Sequence, residues 1–377
     1  MLEARMPVFT PHQDQALAAV SRWLADRPGS RGTPPVFRLF GYAGTGKTTL
    51  ARHIADDVDG EVKFAAFTGK AAQVMRSKGC RNASTIHSLI YRPLDTESEQ
   101  PSFTLWDDAP AAKAKLIVID ECSMVDEDLG RDLMSFGVPI LVLGDPAQLP
   151  PIQGGGFFTA QEPDAMLTEV HRQAQDDPIV QMSMQVREGG RLRPGAYGAS
   201  RVVRRADLDP ADVLEADQVL VGRNATRRAY NGRLRERRGF TDPLPLAGDK
   251  LVCLRNNRKK GLFNGGLWTV KERAVGRSKK LVTMRITPDE EVASRAKPLK
   301  VTVRPECFLG AIEEIDWAQR KIYDEFDYGY VLTVHKSQGS QWDDVVLFDE
   351  SFAFQETRER WLYTGITRAA RRLTVVM

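Results

Sequence analysis

No apolar run in this chain approaches the ~20 residues that a bilayer-spanning helix requires, and the opening ten residues, MLEARMPVFT, hold no signal-peptide apolar stretch. A membrane partner is therefore not expected, and a cytoplasmic location is. Cysteine is scarce. The four present, Cys80, Cys122, Cys253 and Cys307, lie far apart and form no C-x-x-C, which argues against a zinc knuckle or a disulfide framework and for reduced packing residues. A net charge of +3 is too small to name a nucleic-acid partner. What remains is a globular composition, 42% hydrophobic and 27% charged, on 377 residues, a length that suggests two or three domains.

Against that background one stretch stands out, Gly41-Tyr-Ala-Gly-Thr-Gly-Lys-Thr48, a full match to the G-x-x-x-x-G-K-[ST] phosphate loop. The run Val36 to Phe40 reads as a buried strand leading in. Thr49 to Val58 reads as a helix leading out, with Leu50, Ile54, Ala55 and Val58 on one face. A chance Gly-rich turn would not carry both flanks. Backbone N–H groups of Gly44, Thr45, Gly46, Lys47 and Thr48 can wrap a phosphate where the helix dipole favours an anion. Lys47 supplies a point charge to the β- and γ-oxygens of ATP, and the Thr48 hydroxyl a ligand for Mg²⁺.

Other stretches fall into place around this loop. Thr10 and Pro11 cap a helix running through Val20, and Gln13 near its start can read an adenine edge. A second strand, Val62 to Phe67, breaks at Thr68-Gly-Lys70, setting a hydroxyl and a cation at the carboxyl edge of a parallel sheet. Lys115-Leu-Ile-Val-Ile-Asp-Glu121 is an apolar strand ending in two carboxylates. Asp120 is placed to hold Mg²⁺ through its water shell and Glu121 to deprotonate the attacking water. Ile140 to Leu143 leads into Gly144-Asp-Pro-Ala-Gln148, where Gln148 can bond the γ-phosphate or that water. Residues 91–113, rich in proline and carrying Phe103 and Trp106, read as an excursion from the sheet. His87, alone, is as well explained as a structural residue.

Arginine crowds between Arg187 and Arg205 and between Arg223 and Arg238, followed by Arg255, Arg258, Lys259 and Lys260. Such runs are solvated faces or nucleic-acid surfaces, and charge alone does not choose. Gln218 to Gly222, Asp344 to Phe348 and Arg372 to Val376 are strand-like and imply a second parallel sheet. Between them, residues 240–326 carry short strands punctuated by turn signals such as Asn264-Gly265, the pattern of a small antiparallel barrel.

Phosphate loop, T-G-K-A-A, T-I-H-S, D-E-C-S-M and G-D-P-A-Q-L-P-P, in this order, resemble the first motor domain of a superfamily 1 helicase of the RecD and phage Dda type. Thr168-Glu-Val-His-Arg-Gln173, Thr333-Val-His-Lys-Ser-Gln-Gly-Ser-Gln341 and Leu362-Tyr-Thr-Gly-Ile-Thr-Arg-Ala369 resemble the remaining motifs. The resemblance runs from about Phe9 to the C-terminus. It implies an α/β chain with two RecA-like parallel-sheet domains: a first at 1–165 with a hairpin-like insertion, and a second at 166–239 and 327–377 that carries an SH3-like barrel at 240–326. A phage or mobile-element origin would suit so compact a version.

The resemblance further implies ATP-dependent unwinding of DNA with 5′-to-3′ movement, in replication, recombination or repair. Arg172 and Arg368 would be arginine fingers acting with Lys47, Glu121 and Gln148. Thr49 and Gly339 would join the nucleotide site. Single-stranded DNA would contact Thr68, Lys70, His87, Thr333, His335 and Ser337, reading backbone and not sequence. Phe103 and Trp106 form either a wedge at a DNA fork or a packed loop. The barrel either guides DNA or docks a protein partner. An ATP-switched binding subunit and an RNA-directed motor remain as alternatives.

Overall fold

The computed structural model describes residues 9–30, 32–93, 103–150, 156–170, 176–255, 264–275, 280–289 and 298–377, with 257, 260 and 262 between. The chain divides into two compact units, the first within 1–190 and the second within 191–377, residues 68–70 grouping with the second.

The first unit is built on a wholly parallel six-stranded sheet. In chain order its strands are β1 (Val36–Gly41), β2 (Val62–Ala66), β3 (Ser84–Thr85), β6 (Leu116–Asp120), β7 (Ile140–Gly144) and β8 (Ala165–Leu167), arranged β3-β2-β6-β7-β1-β8. Two further strands, β4 (Tyr91–Pro93) and β5 (Phe103–Leu105), pair antiparallel apart from it. The apolar runs become central strands because helices cover both faces of a parallel sheet, so successive residues all meet a core. Side chains alternate: Leu116, Val118, Leu141 and Leu143 enter one cluster with Leu50 and Ile54, while Ile117, Ile119, Ile140 and Val142 enter another with Ile86 and Leu129.

The second unit holds a six-stranded sheet of β9 (Gly195–Tyr197), β10 (Ser200–Val203), β11 (Gln218–Val221), β17 (Val331–Thr333), β18 (Trp342–Phe348) and β19 (Ala369–Val376). Their order is β17-β11-β18-β19-β10-β9, parallel save for the β9–β10 pair. A second sheet of this unit is wholly antiparallel: β12 (Lys250–Cys253), β13 (Leu267–Val275), β14 (Val282–Pro288), β15 (Leu299–Val303) and β16 (Phe326–Tyr328), in the order β15-β14-β13-β12-β16. An isolated bridge between Val303 and Asp324 links β15 to the approach of β16. One core serves both sheets, with Val219, Val221 and Val346 in the same cluster as Leu251, Trp268, Met284 and Phe326.

A buried ion pair fixes the small sheet to the helix Asn224–Arg237. Arg235 donates from Nε and Nη2 to both oxygens of Asp249, at 2.9 and 2.8 Å, and from Nη1 to the Asp242 carbonyl at 2.9 Å. Its guanidinium lies 4.1 Å from the Tyr328 ring centroid. Asp249, fully buried, also accepts the Tyr330 hydroxyl and the Leu246 N–H. Such a pair is stable only because every lone pair is used.

The four cysteines are buried and unpaired, and burial pushes the Cys80 thiol up to about 11 and those of Cys253 and Cys307 to about 12. They act as packing groups, as their spacing suggested. No described helix is long and apolar enough to cross a membrane.

Replacing Asp249 with alanine strands a buried guanidinium, a hydroxyl and an N–H, and is expected to cost about 3–5 kcal/mol in urea unfolding followed on the second unit's tryptophans. A loss below about 1 kcal/mol would show that the pair does not fix the sheet.

Candidate functional site

Parallel pairing brings three chemically equipped strand ends to one edge of the first sheet. Phe40 is level with Gly144 and Ala66 with Asp120, so the segments after β1, β6 and β7 emerge side by side. Close approach there demands glycine. A Cβ on Gly41 would lie 2.6 Å from Thr45 Oγ1 and 2.8 Å from Leu167 Cβ, and one on Gly144 2.8 Å from Cys122 Sγ.

The loop after β1 turns through Gly44 and Gly46, with φ of +78° and +79°, values glycine adopts without strain. The helix that follows begins at Lys47, and no side chain caps it. Its first-turn N–H groups therefore point into the loop's hollow, an anion seat. Lys47 Nζ lies across that hollow, donating to the carbonyls of Gly41 at 2.5 Å and Tyr42 at 2.9 Å. Thr45, buried, donates its hydroxyl to Tyr42 O at 2.8 Å; Thr49 is exposed on the helix.

Gln13 is buried, and its amide is already in use. Its Oε1 accepts the Thr10 N–H at 3.0 Å, completing a capping box, and its Nε2 donates to Thr45 O at 3.0 Å. The residue expected to face a base thus ties the helix Pro11–Ala25 to the phosphate loop. Sequence reasoning missed a second support. The Arg187 guanidinium sits 3.7 Å over the Tyr42 ring, with Nη1 buried and unpartnered. Nothing in the spacing of 42 and 187 signals this.

Asp120 is the last residue of β6 and Glu121 follows it directly. Thr48 donates its hydroxyl to Asp120 Oδ2 at 3.0 Å, and the Glu121 N–H donates to Asp120 Oδ1 at 2.8 Å. Glu121 itself adopts φ +55°, ψ +44°, a left-handed conformation that costs a non-glycine residue about 1–2 kcal/mol. Beside it, the loop after β7 buries Gln148, whose Oε1 has no hydrogen-bond partner. A stranded buried acceptor costs about 1–3 kcal/mol, so the loop is not arranged for stability alone.

The remaining predicted residues disperse. Thr68, half-buried, follows β2, and the Lys70 side chain lies outside the described residues. His87, on the short helix Ile86–Ile90, stands 5.6 Å from the Tyr91 ring. Trp106 packs half-buried against the first unit's core, and its backbone N–H donates to Ile90 O. Phe103 is described only as backbone of β5, and Arg172, Arg258 and Lys259 fall outside the described residues.

In the second unit, Thr333 is buried at the end of β17, and Ser337 is fully buried with its hydroxyl on Val334 O at 2.7 Å. Ser337 here closes a turn and presents no surface. His335 is half-buried 5.3 Å from the Phe354 ring, and burial holds its pKa below the usual imidazole value. Gly339 is buried at φ +74°. Arg368, buried, spends its guanidinium on the Thr364 and Ser340 carbonyls and the Thr367 hydroxyl, at 3.1–3.2 Å.

Two family models match the chain: an AAA domain over residues 33–207 and a UvrD-like helicase C-terminal domain over 328–376. It is 28% identical over 351 residues to the ATP-dependent RecD2 DNA helicase of Deinococcus radiodurans, covering 88% of this chain and 45% of that protein. To the ATP-dependent DNA helicase Dda of Enterobacteria phage T4 it is 32% identical over 164 residues, 40% of this chain and 37% of that one. The chain thus spans less than half the length of either. A Bacteroides Pif1 helicase solved with ADP-AlF3 and single-stranded DNA shares the fold, with a TM-score of 0.55 at 17% identity over 98% of this chain and 92% of that one.

Two outcomes follow from this geometry. Glu121→Gly relieves the left-handed strain and is expected to raise unfolding stability by about 1 kcal/mol; an unchanged or lower urea midpoint would count against stored strain. His335 takes up a proton more readily unfolded than folded, so stability falls as pH drops through about 6.5 and below. His335→Gln should flatten that slope in melts between pH 5 and 7.5, and an equally steep slope would exclude His335 as its source.

Proposed function

We propose that this chain, a superfamily 1 member of the RecD and Dda type, is an ATP-driven motor that moves 5′ to 3′ on single-stranded DNA and opens duplex DNA. The observation that carries the reading is the convergence of Lys47, Thr48, Asp120 and Glu121 on one sheet edge beside an uncapped helix N-terminus. Relatives named as ATP-dependent DNA helicases, and a fold neighbour holding ADP-AlF3 and single-stranded DNA, support the substrate classes.

The residues fit a magnesium nucleotide. Thr48 and Asp120 offer two hard oxygens 3.0 Å apart, and no three or more His, Cys, Asp or Glu residues among those described converge into an all-protein cage. That is the donor set of an ion that keeps most of its ligands as water and phosphate. When bound, Mg²⁺ would neutralise charge on the β- and γ-phosphate oxygens. Lys47 exchanges its two carbonyl acceptors for phosphate oxygens. Gly44, Thr45, Gly46 and Thr48 offer backbone N–H groups, with Thr49 in the first helical turn behind them. Glu121, its backbone pinned on Asp120, takes the proton from the attacking water. Gln148 has an acceptor free to orient that water. Gln13 sets the loop's position through Thr45 and keeps one amide hydrogen for adenine.

Arg172 and Arg368 are proposed as arginine fingers, with Gly339 alongside. Arg368 already donates to neutral oxygens only, so an anionic acceptor can replace them with a gain in charge-assisted bonding. Thr68, Lys70, His87, Thr333 and His335 are the DNA-facing set, with Ser337 shaping the turn that presents His335. The antiparallel sheet of the second unit is read as an SH3-like barrel, closed by the Val303–Asp324 bridge, that guides DNA or a protein partner. The β4–β5 pair, with Phe103 and Trp106, is the candidate wedge.

Partial duplexes with either a 5′ or a 3′ tail test the motor. Wild type should open only the 5′-tailed substrate with ATP, and Lys47→Ala neither; opening of the 3′-tailed one alone would reverse the polarity. Glu121→Gln should still bind ATP and DNA but hydrolyse about 10²- to 10⁴-fold more slowly. Retained turnover would remove Glu121 from the base role.

A further inference from the structure

At the carboxyl edge of the second unit's parallel sheet lies a cavity of about 500 Å³ that no motif accounts for. The ends of four consecutive parallel strands, β11, β18, β19 and β10, supply its wall. Arg205 follows β10, Arg223 follows β11 and Phe352 follows β18, while Tyr230 and Arg233 line it from the helix Asn224–Arg237. Ligands of open α/β sheets bind at this edge.

Two features set the cavity apart from a solvated arginine patch. First, Arg223 is locked. It donates from Nε and Nη2 to Glu350 Oε1 at 3.0 and 2.8 Å, and Glu350 also accepts the Gly222 and Arg223 N–H groups and the Thr226 hydroxyl. Burial alone would raise the Glu350 pKa, but these hydrogen bonds hold it below the usual carboxylate range, so its charge is retained and consumed within the wall. Asp349 caps the Ser351 N–H, and Met377, which also lines the cavity, accepts the Arg205 backbone N–H at 2.9 Å.

Second, Arg205 and Arg233 make no ion pair with a described residue. Both instead stand 5.8 Å from the Tyr230 ring centroid, on a helix face where 226, 230 and 233 align. Phe352 is 59% exposed, with the Arg223 guanidinium 5.6 Å from its ring. An exposed aromatic ring held beside a fixed cation, with two uncommitted guanidiniums across a nucleotide-sized hollow, matches a polyanion that carries planar rings.

We propose that this cavity is a subsite for one nucleotide of single-stranded DNA, stacking a base on Phe352 and taking the flanking phosphates on Arg205 and Arg233. The inference rests on the motor reading above and extends the DNA track beyond its motif residues. It reads backbone and ring face only, as a motor indifferent to sequence requires. Free phosphate or a mononucleotide lacks one of the two contacts and should bind far more weakly.

The test is equilibrium binding of a fluorescent oligo-dT to the full chain over a salt series. Arg205→Ala/Arg233→Ala should lower the salt slope of log affinity by about 1.4, since each single-strand phosphate contact contributes about 0.7. Phe352→Ala should weaken binding about five- to a hundredfold with little change in slope. All three positions are exposed, and unchanged melting temperatures confirm the fold. Wild-type affinity and slope in both variants would overturn the subsite while leaving the motor intact, and would leave an acidic protein segment as its ligand. If the wild type binds no single strand at all, the motor reading fails first. Competition by inorganic phosphate or dTMP at low millimolar concentration, equal to that by oligo-dT, would reduce the site to a general anion pocket and also overturn it.

Discussion

Parallel strand pairing is the constraint from which the rest of this molecule follows. A parallel sheet needs crossovers that return each chain segment to the same starting edge, so every strand delivers its next residue to the opposite edge. In the first unit that edge receives Tyr42, Phe67, Glu121 and Asp145; in the second it receives Arg204, Gly222 and Val334. Residues separated by 70 to 100 positions become neighbours through backbone register alone. Function then needs only short loops of the right composition, and the apolar strands hold them still.

The second unit shows what an insertion into such a sheet requires. The segment carrying the antiparallel sheet leaves after the helix Asn224–Arg237 and returns just before β17. Its hydrophobic face joins the parallel sheet's own core, which gives adhesion but little orientation. Orientation comes from polar groups. Arg235 and Asp249 must meet in a bidentate geometry, Asp249 must also receive Tyr330 and Leu246, and Arg227 must find Asp327 at 2.7 Å. A rotated insert would bury these charges unpaired, at a cost apolar contacts could not offset. The insert is thereby a fixed extension of the second unit.

What the sequence discloses and what it hides divide along this line. The phosphate loop, the Asp120-Glu121 pair and the strands Leu116–Asp120 and Ile140–Gly144 are legible because their chemistry is local: glycines where backbone must turn, carboxylates at the end of an apolar run. The Thr10 cap and Pro11 start are equally local. Hidden are features made by distant partners. Ala165–Leu167 is three residues long and becomes a strand only because Gly41 offers its edge. Ser200–Val203 is recruited by the far end of the chain. The double engagement of Gln13 depends on Thr45, and the burial of Ser337 on a turn that a motif does not encode. Glu350 reads as one more surface acid until it is seen collecting two backbone N–H groups, a hydroxyl and a guanidinium.

The places where this structure forgoes stability are as informative as those where it secures it. Most buried polar groups are satisfied to the last lone pair, as at Asp249 and Glu350. Against that norm, Glu121 holds a left-handed backbone, Gln148 buries an acceptor with no donor and Arg187 a donor with no acceptor, while Arg38 Nε, Gln218 Oε1 and Trp361 Nε1 are buried without partners as well. Glu121, Gln148 and Arg187 belong to the first unit, where Arg187 stacks on Tyr42 of the loop after β1, whereas Gln218 and Trp361 belong to the second. Gln148 and Glu121 nonetheless lie at the same sheet edge, where a bound group that donates to Gln148 would offset part of this cost.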